Sequence, residues 1–236
     1  MLASVSIPML RLAIVVPTLN EEAALHRLLP SLLALAPMPD EVVVTDGGST
    51  DRTVEAAREL GARVVTGPPG RGGQLTRGAA ATTADILLFL HADTELPVDG
   101  IQRIHEAVAG GAAGGGFSVR YDAPPPLLRL VGERLINART RLTGWPLGDQ
   151  AQFVTREAFN ALGGYRDWPI LEDLDFARRL RRHGRTVLIT APVTTAARRF
   201  TEQGVVRTVA TNWLIWILFL CGVSPHRLAR LYRHIR

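Results

Sequence analysis

Polar residues that can do chemistry stand where apolar runs stop. Ile14-Val15-Val16-Pro17-Thr18-Leu19 ends on Asn20-Glu21. Val42-Val43-Val44-Thr45 ends on Asp46-Gly47-Gly48-Ser49-Thr50-Asp51, and Ile86-Leu87-Leu88-Phe89-Leu90 on His91-Ala92-Asp93-Thr94. Short aliphatic runs halted by a polar turn are expected to be buried parallel strands. Open α/β sheets bind ligands just beyond the carboxyl ends of their strands. Asn20, Asp46 and Asp93 are therefore expected at one crevice. Carboxylates there suit a ribose hydroxyl and a divalent cation carrying a diphosphate, the polar parts of a nucleotide sugar.

Each residue also has a plainer use. Ser49, Thr50 or Asp51 can cap a helix, which leaves Asp46 free to accept from a base or ribose. Asp93 is the best candidate for Mn²⁺ or Mg²⁺, because a diphosphate-bound cation needs few protein ligands; it can also cap the turn before Pro97. His91 is either a second ligand or a core histidine with a satisfied ring. Glu172-Asp173, followed by Asp175, opens a helix, where the macrodipole favours acids. A displacement at an anomeric carbon needs a base for the attacking hydroxyl, and a carboxylate held there could serve. Arg71, in Gly70-Arg71-Gly72-Gly73, could meet phosphate. Neither a complete dinucleotide fingerprint nor a P-loop is present.

The elements that must position these groups follow from periodicity and turn residues. Strands are expected near 11–17, 41–46, 63–66 and 86–91, with helices at about 21–35, 51–60, 74–83 and 97–109. Asn20 is expected to cap the first helix. Arg71 is expected on a loop. After a strand ending near Tyr121, Pro124-Pro125-Pro126 marks a break, and 127–143 reads as a basic helix. A strand over 149–155, a helix over 171–183, and short strands at 187–190 and 194–198 complete the pattern. The expected organisation is one α/β domain, 1–200, and a helical C-terminal appendage, 201–236.

The 236 residues include 47% hydrophobic ones, enough for a sizeable core. The net charge of +5 comes from arginine alone, since no lysine occurs. No basic stretch interleaved with aromatics points to nucleic acid. The single cysteine, Cys221, excludes a disulfide framework and a cysteine metal site. Arg11 interrupts the N-terminal apolar stretch, so a signal peptide is not expected. The tail is apolar over Trp213–Val223 and then carries Arg227, Arg230, Arg233 and Arg236. That run is short for a bilayer span; it suits a helix packed on the domain, a homodimer, or contact with a membrane surface. The expected location is cytoplasmic, or peripheral on the inner face of the membrane.

In order and spacing these motifs resemble the inverting glycosyltransferases of family 2, over about 12–200. The resemblance implies the GT-A fold, a mostly parallel Rossmann-like sheet flanked by helices. It implies a nucleoside pocket made by Pro17, Thr18, Asn20, Glu21, Asp46 and Gly47, with Arg71 near the base or phosphate. Asp93 matches the last acid of the Asp-x-Asp metal motif, and Asp173 the base of the Glu-Asp motif beside Glu172. His91 stands where the family has the first Asp. Gly148, Asp149 and Gln150 would face the donor sugar or acceptor, and Arg198 or Arg199 would neutralise the leaving diphosphate; the arginines can equally be a solvated strand end. Leu90-His91-Ala92-Asp93-Thr94, Gly148-Asp149-Gln150 and Arg198-Arg199-Phe200 are similar to a small bacterial subgroup associated with radical-SAM proteins and labelled as arsenosugar-biosynthesis glycosyltransferases. The Gln-x-x-Arg-Trp motif of processive synthases is missing, so single transfer from a UDP-sugar to a hydroxyl is expected. The alternatives are a nucleotidyltransferase, against which the loop after the first strand argues, and a non-catalytic nucleotide-sugar-binding or membrane scaffold protein.

Overall fold

The computed structural model describes residues 10–235. The start of the N-terminal apolar stretch and Arg236 lie outside the described residues, as do the side chains of Arg199 and 233–235. Eight strands form one sheet: β1 (Leu12–Thr18), β2 (Glu41–Asp46), β3 (Arg63–Thr66), β4 (Ile86–Phe89), β5 (Thr94–Glu95), β6 (Gly114–Asp122), β7 (Phe153–Thr155) and β8 (Thr186–Ala196). Their order is β3-β2-β1-β4-β7-β6-β8-β5. The first four are parallel, and β6 runs parallel to β8. Antiparallel β7 joins the two halves, and β5 pairs antiparallel with β8. The fold is the expected mostly parallel GT-A sheet.

Parallel strands need cover on both faces, which is why Leu12 to Val16 are all buried. On one face α1 (Glu22–Leu33) sets Leu25, Leu28, Leu29 and Leu32 at helical spacing against the sheet. On the other, α3 (Arg71–Ala80) lies so close that a Cβ at Gly78 would fall 2.3 Å from Val15 Cγ1. Beside it Phe89, Phe159, Tyr165 and Phe176 form an aromatic core, with Tyr165 stacked on Phe176 at 4.2 Å. α2 (Thr53–Glu59), α4 (Gly100–Ala109), α6 (Arg156–Ala161) and α7 (Glu172–His183) complete the cover.

Several boundaries differ from expectation. α3 begins at Arg71, because the glycines of 70–73 turn directly into helix rather than a loop. The two short strands expected at 187–190 and 194–198 are the single strand β8, with an irregularity opposite Phe117/Ser118 that interrupts the alternation. The strand expected at 149–155 is a 3₁₀ turn, Gly148–Gln150, followed by β7. β5, two residues long, was beyond periodicity to detect.

After a π-helical turn, Leu128–Gly132, α5 (Glu133–Thr143) runs beside β6. The tail comprises α8 (Arg198–Gln203), α9 (Val205–Leu220) and α10 (Pro225–Ile235). Ile215 and Leu228 are buried, and Trp216 meets Trp145 at 6.5 Å. Among the described residues no helix is long and apolar enough to cross a membrane.

Candidate active site

β1, β2 and β4 lie side by side, so their tips converge as the apolar runs required. Pro17 and Thr18 at the end of β1 with Leu19 and Glu21 beyond it, Arg71 and Gln74 of α3, and His91, Ala92 and Asp93 after β4 line a cavity of about 230 Å³. Glu21 also borders a groove of about 480 Å³ that includes Asn20, Asp51 and Arg198. Burial and then the facing Asp93 carboxylate raise the Glu21 pKa, while Arg198 opposes them.

Two strand-tip residues serve the loops instead of the cavity wall. Asp46 is buried; its Oδ2 accepts from the Gly48 and Ser49 amides at 2.8 and 3.0 Å, and its Oδ1 from Ser49 Oγ at 2.5 Å. The carboxylate thought to be left over by the helix cap instead builds the turn. Asn20 is no helix cap either. It adopts a φ of 57°, its Oδ1 accepts from the Thr50 amide at 2.8 Å, and its own amide donates to Ser49 Oγ at 2.8 Å. It ties the β1 tip to the β2 tip. Gly47 faces the side chain of Gln74 rather than open space.

Gln74 was missed. It is buried, and its Nε2 donates to the carbonyls of both Thr18 and Thr45 at 2.8 Å, so one amide clamps two strand tips. Its signal was a polar residue beside Leu75 on the face that includes Gly78 and Ala79, in a helix whose start was misplaced.

The start of α7 adjoins this cavity behind two of its lining residues, Arg71 and His91. Leu171, just before it, holds a left-handed backbone with φ 65°, a conformation that costs a side-chain-bearing residue about 1–2 kcal/mol. Glu172 is buried 3.6 Å from Arg71. Burial first and the adjoining Asp173 second raise its pKa to about 7, against the pull of Arg71. Asp173 Oδ2 accepts from the Gly148 amide at 2.9 Å, and its Oδ1 from the Leu174 amide at 2.7 Å. Gln152, also missed, donates to the Asp173 carbonyl at 3.1 Å and accepts from Tyr165 Oη at 2.7 Å. A Cβ at Gly148 would lie 2.9 Å from His91 Nε2 and 3.3 Å from Asp173 Oδ2. Only glycine lets the imidazole, the carboxylate and this backbone meet. Burial and the Arg71 charge push the His91 pKa down to about 3, so the ring is a neutral imidazole.

Asp93 is exposed, and its carboxylate has only a long 3.5 Å contact with Thr94 Oγ1 among the described hydrogen bonds. No group of three His, Cys, Asp or Glu residues able to hold a metal occurs among the described residues. A free carboxylate without a protein cage fits a cation that brings phosphate oxygens and water as its other ligands.

The Gly148-Asp149-Gln150 segment divides. Gln150 is fully buried; its Oε1 accepts from Thr140 Oγ1 at 2.8 Å and Arg139 Nη2 at 2.9 Å, and its Nε2 donates to the Phe117 carbonyl. It cannot face a sugar and instead holds β6 to α5. Asp149 Oδ2 accepts from Tyr121 Oη at 2.9 Å, while Oδ1 is buried without a described partner. Burial raises its pKa, with Arg139 opposing. Arg198 starts α8, exposed and 3.7 Å from Glu202, on the groove rather than the cavity. The Arg199 side chain lies outside the described residues.

The cavity lies at the carboxyl edge of a parallel sheet, where open α/β folds bind their ligands, with Asp93 in its lining and the acids of α7 adjoining it behind Arg71 and His91. Residues 13–150 match glycosyl transferase family 2, and the chain belongs to that family. A glucosyl-3-phosphoglycerate synthase of Mycobacterium tuberculosis is 39% identical over 92 residues, covering 35% of this chain and 28% of that protein. A beta-monoglucosyldiacylglycerol synthase of Synechocystis is 27% identical over 237 residues, covering 87% and 46%. The chain thus matches less than half the length of these relatives. In structure it is similar to a mannosyltransferase of Pyrobaculum calidifontis in complex with GDP-Man and Mn²⁺, with a TM-score of 0.70, 19% identity and coverage of 95% and 68%. The M. tuberculosis synthase in complex with Mn²⁺, UDP and glucosyl-3-phosphoglycerate gives a TM-score of 0.61 at 24% identity, covering 91% and 81%. At these identities the likeness concerns the fold.

Proposed function

We propose that this chain is an inverting glycosyltransferase that moves one sugar from a nucleoside-diphosphate donor, a UDP-sugar, to a hydroxyl acceptor. The observation that carries this reading is the convergence of Asp173 and Gly148 on His91, a lining residue of the strand-tip cavity that also holds Asp93. Pro17, Thr18 and Glu21 bind the nucleoside, and Arg71 faces the diphosphate. Asp93 would hold Mn²⁺ or Mg²⁺, which when bound would supply positive charge to the leaving diphosphate. Asp173 takes the proton of the acceptor hydroxyl as its oxygen attacks the anomeric carbon. The bond from that carbon to the diphosphate oxygen breaks on the opposite side, and its electron pair leaves with the diphosphate. His91, a neutral imidazole, and Asp173 both border the backbone of Gly148, so the base stands beside the cavity lining. Asp46, Asn20 and Gln74 act by fixing the strand tips. The division we propose makes 1–200 the binding and transfer unit and 201–236 its helical cover. His91 in place of an acid, within Leu90–Thr94, supports placement in the subgroup labelled for arsenosugar biosynthesis.

The test is donor hydrolysis and nucleotide binding in two variants. Asp173→Asn is expected to cut turnover about 10²- to 10⁴-fold, the usual share of a general base, with nucleotide affinity unchanged. Asp93→Ala is expected to abolish the Mn²⁺-dependent part of that affinity. Full turnover in Asp173→Asn would remove the base assignment.

A further inference from the structure

The helix α5 is built inside out. Three of its polar residues face the protein: Asn137 pairs with the Val119 amide and carbonyl at 2.8 and 3.0 Å, Glu133 accepts from the Tyr121 amide at 2.9 Å, and Thr140 donates to Gln150 at 2.8 Å. Asn137 and Glu133 satisfy β6 where β7 no longer pairs with it. The outward face of the helix and the preceding turn is consequently apolar, with Leu130, Val131, Leu135 and Leu142 all exposed, Leu142 at 88%. α9 does the same: Ile215 is buried, while Trp213, Leu214 and Ile217 point outward at about half exposure. The two helices meet where Arg139 lies over the Trp216 ring at 4.8 Å, and Trp213 sits 6.1 Å from Trp216. Monomeric soluble proteins rarely leave so many large apolar side chains together in water.

The exposed charges carried by α5 with its preceding turn, and by α10, are of one sign. Arg129, Arg134 and Arg141 are exposed on the α5 segment, and Arg227 and Arg230 on α10. Glu133 is the sole acid between Asp122 and Asp149, and it is turned inward; no acid follows Glu202. We infer that the α5–α9 face is a docking surface for an anionic phospholipid bilayer, with the leucines and Trp213 entering the headgroup boundary and the arginines meeting lipid phosphates. Charge decides against a second copy of the chain. A two-fold interface sets the same patch against itself, so arginines would oppose arginines with no carboxylate to pair them.

The experiment is co-sedimentation of the full chain with vesicles of phosphatidylcholine alone, or mixed with phosphatidylglycerol. Binding to the mixed vesicles is expected to exceed binding to phosphatidylcholine by about tenfold or more and to weaken with salt. Trp213→Glu with Leu135→Glu is expected to abolish it. Arg134→Glu with Arg141→Glu, on the solvent side where folding is not at stake, is expected to weaken it by roughly fivefold per arginine or more. Leu33→Glu, exposed on α1 away from this face, is expected to change nothing. Failure of the wild type to bind anionic vesicles, or binding unaltered in both face variants, would overturn the inference. So would a wild-type dimer in sedimentation velocity that Trp213→Glu disperses.

Discussion

Glu172 and Asp173 are neighbours with different tasks, and burial separates them. Glu172 is sunk against Arg71 with its pKa near 7, whereas Asp173 reaches the Gly148 amide. An acid whose folded-state pKa lies above its ordinary 4.5 binds its proton better in the folded chain. Its contribution to stability is therefore full below about pH 4.5, declines as pH climbs through about 7 and stays low above. The stability difference between Glu172→Gln and the wild type should rise across that window and then level off, as read from urea midpoints against pH; a difference independent of pH would contradict the burial argument. Gly148→Ala should lower turnover on the order of 10²-fold at nearly constant nucleotide affinity, since His91 or Asp173 must yield to the new methyl. Steady-state kinetics beside calorimetry separates the two quantities. At this scale the sequence was legible in where residues stand rather than in what they bind. Asp93 and Asp173 stand where strand-end and helix-start reasoning put them. Asp46 also stands at its strand tip, but its bonds to its own turn were not legible, because a carboxylate before two glycines can serve a ligand, its own turn or both.

The elements position these residues through one close contact and one clamp. α3 can press on β1 and β2 only because Gly78 has no side chain, and Gln74 then reaches both strand tips. Gln74→Ala removes two buried hydrogen bonds at about 0.5–1.5 kcal/mol each and leaves a void. The expected loss of 1–3 kcal/mol lowers the thermal midpoint by about 2–4 °C per kcal/mol for a chain of this size. Calorimetric melting checks it, and an unchanged midpoint would show the clamp to be idle. Strands β1 to β4 and helix α1 were legible from their apolar runs and period, and α7 from its acidic start and its stop at Gly184, although the Asn20 cap expected for α1 does not form. α3, β8 and the Gly148–Gln150 turn were not. Glycines blur a helix start, an irregularity breaks alternation, and a buried Gln150 resembles a functional polar residue until its partners in α5 are known.

Across the whole molecule the tail is part of the packing. Ile215 and Leu228 are buried, Phe219 meets Trp168 at 5.8 Å, and Phe200 meets Tyr121 at 5.0 Å. Deleting residues 204–236 should cost roughly 1.5–3 kcal/mol for each large side chain that loses its cover and should lower the thermal midpoint. An unchanged midpoint would make the tail a separate unit. The apolar-then-basic tail was legible in sequence, but the matching face of α5 was not, since a helix that turns its polar side inward mimics an ordinary solvated one. The central claim is that the strand-tip cavity takes a nucleoside diphosphate through a cation on Asp93. Calorimetric titration of a panel of nucleoside diphosphates and nucleotide sugars, with and without Mn²⁺, tests it most directly. UDP and UDP-sugars should bind only when Mn²⁺ is present. Absence of binding by every nucleotide in both conditions would contradict the account and return the acidic residues to turn and helix capping.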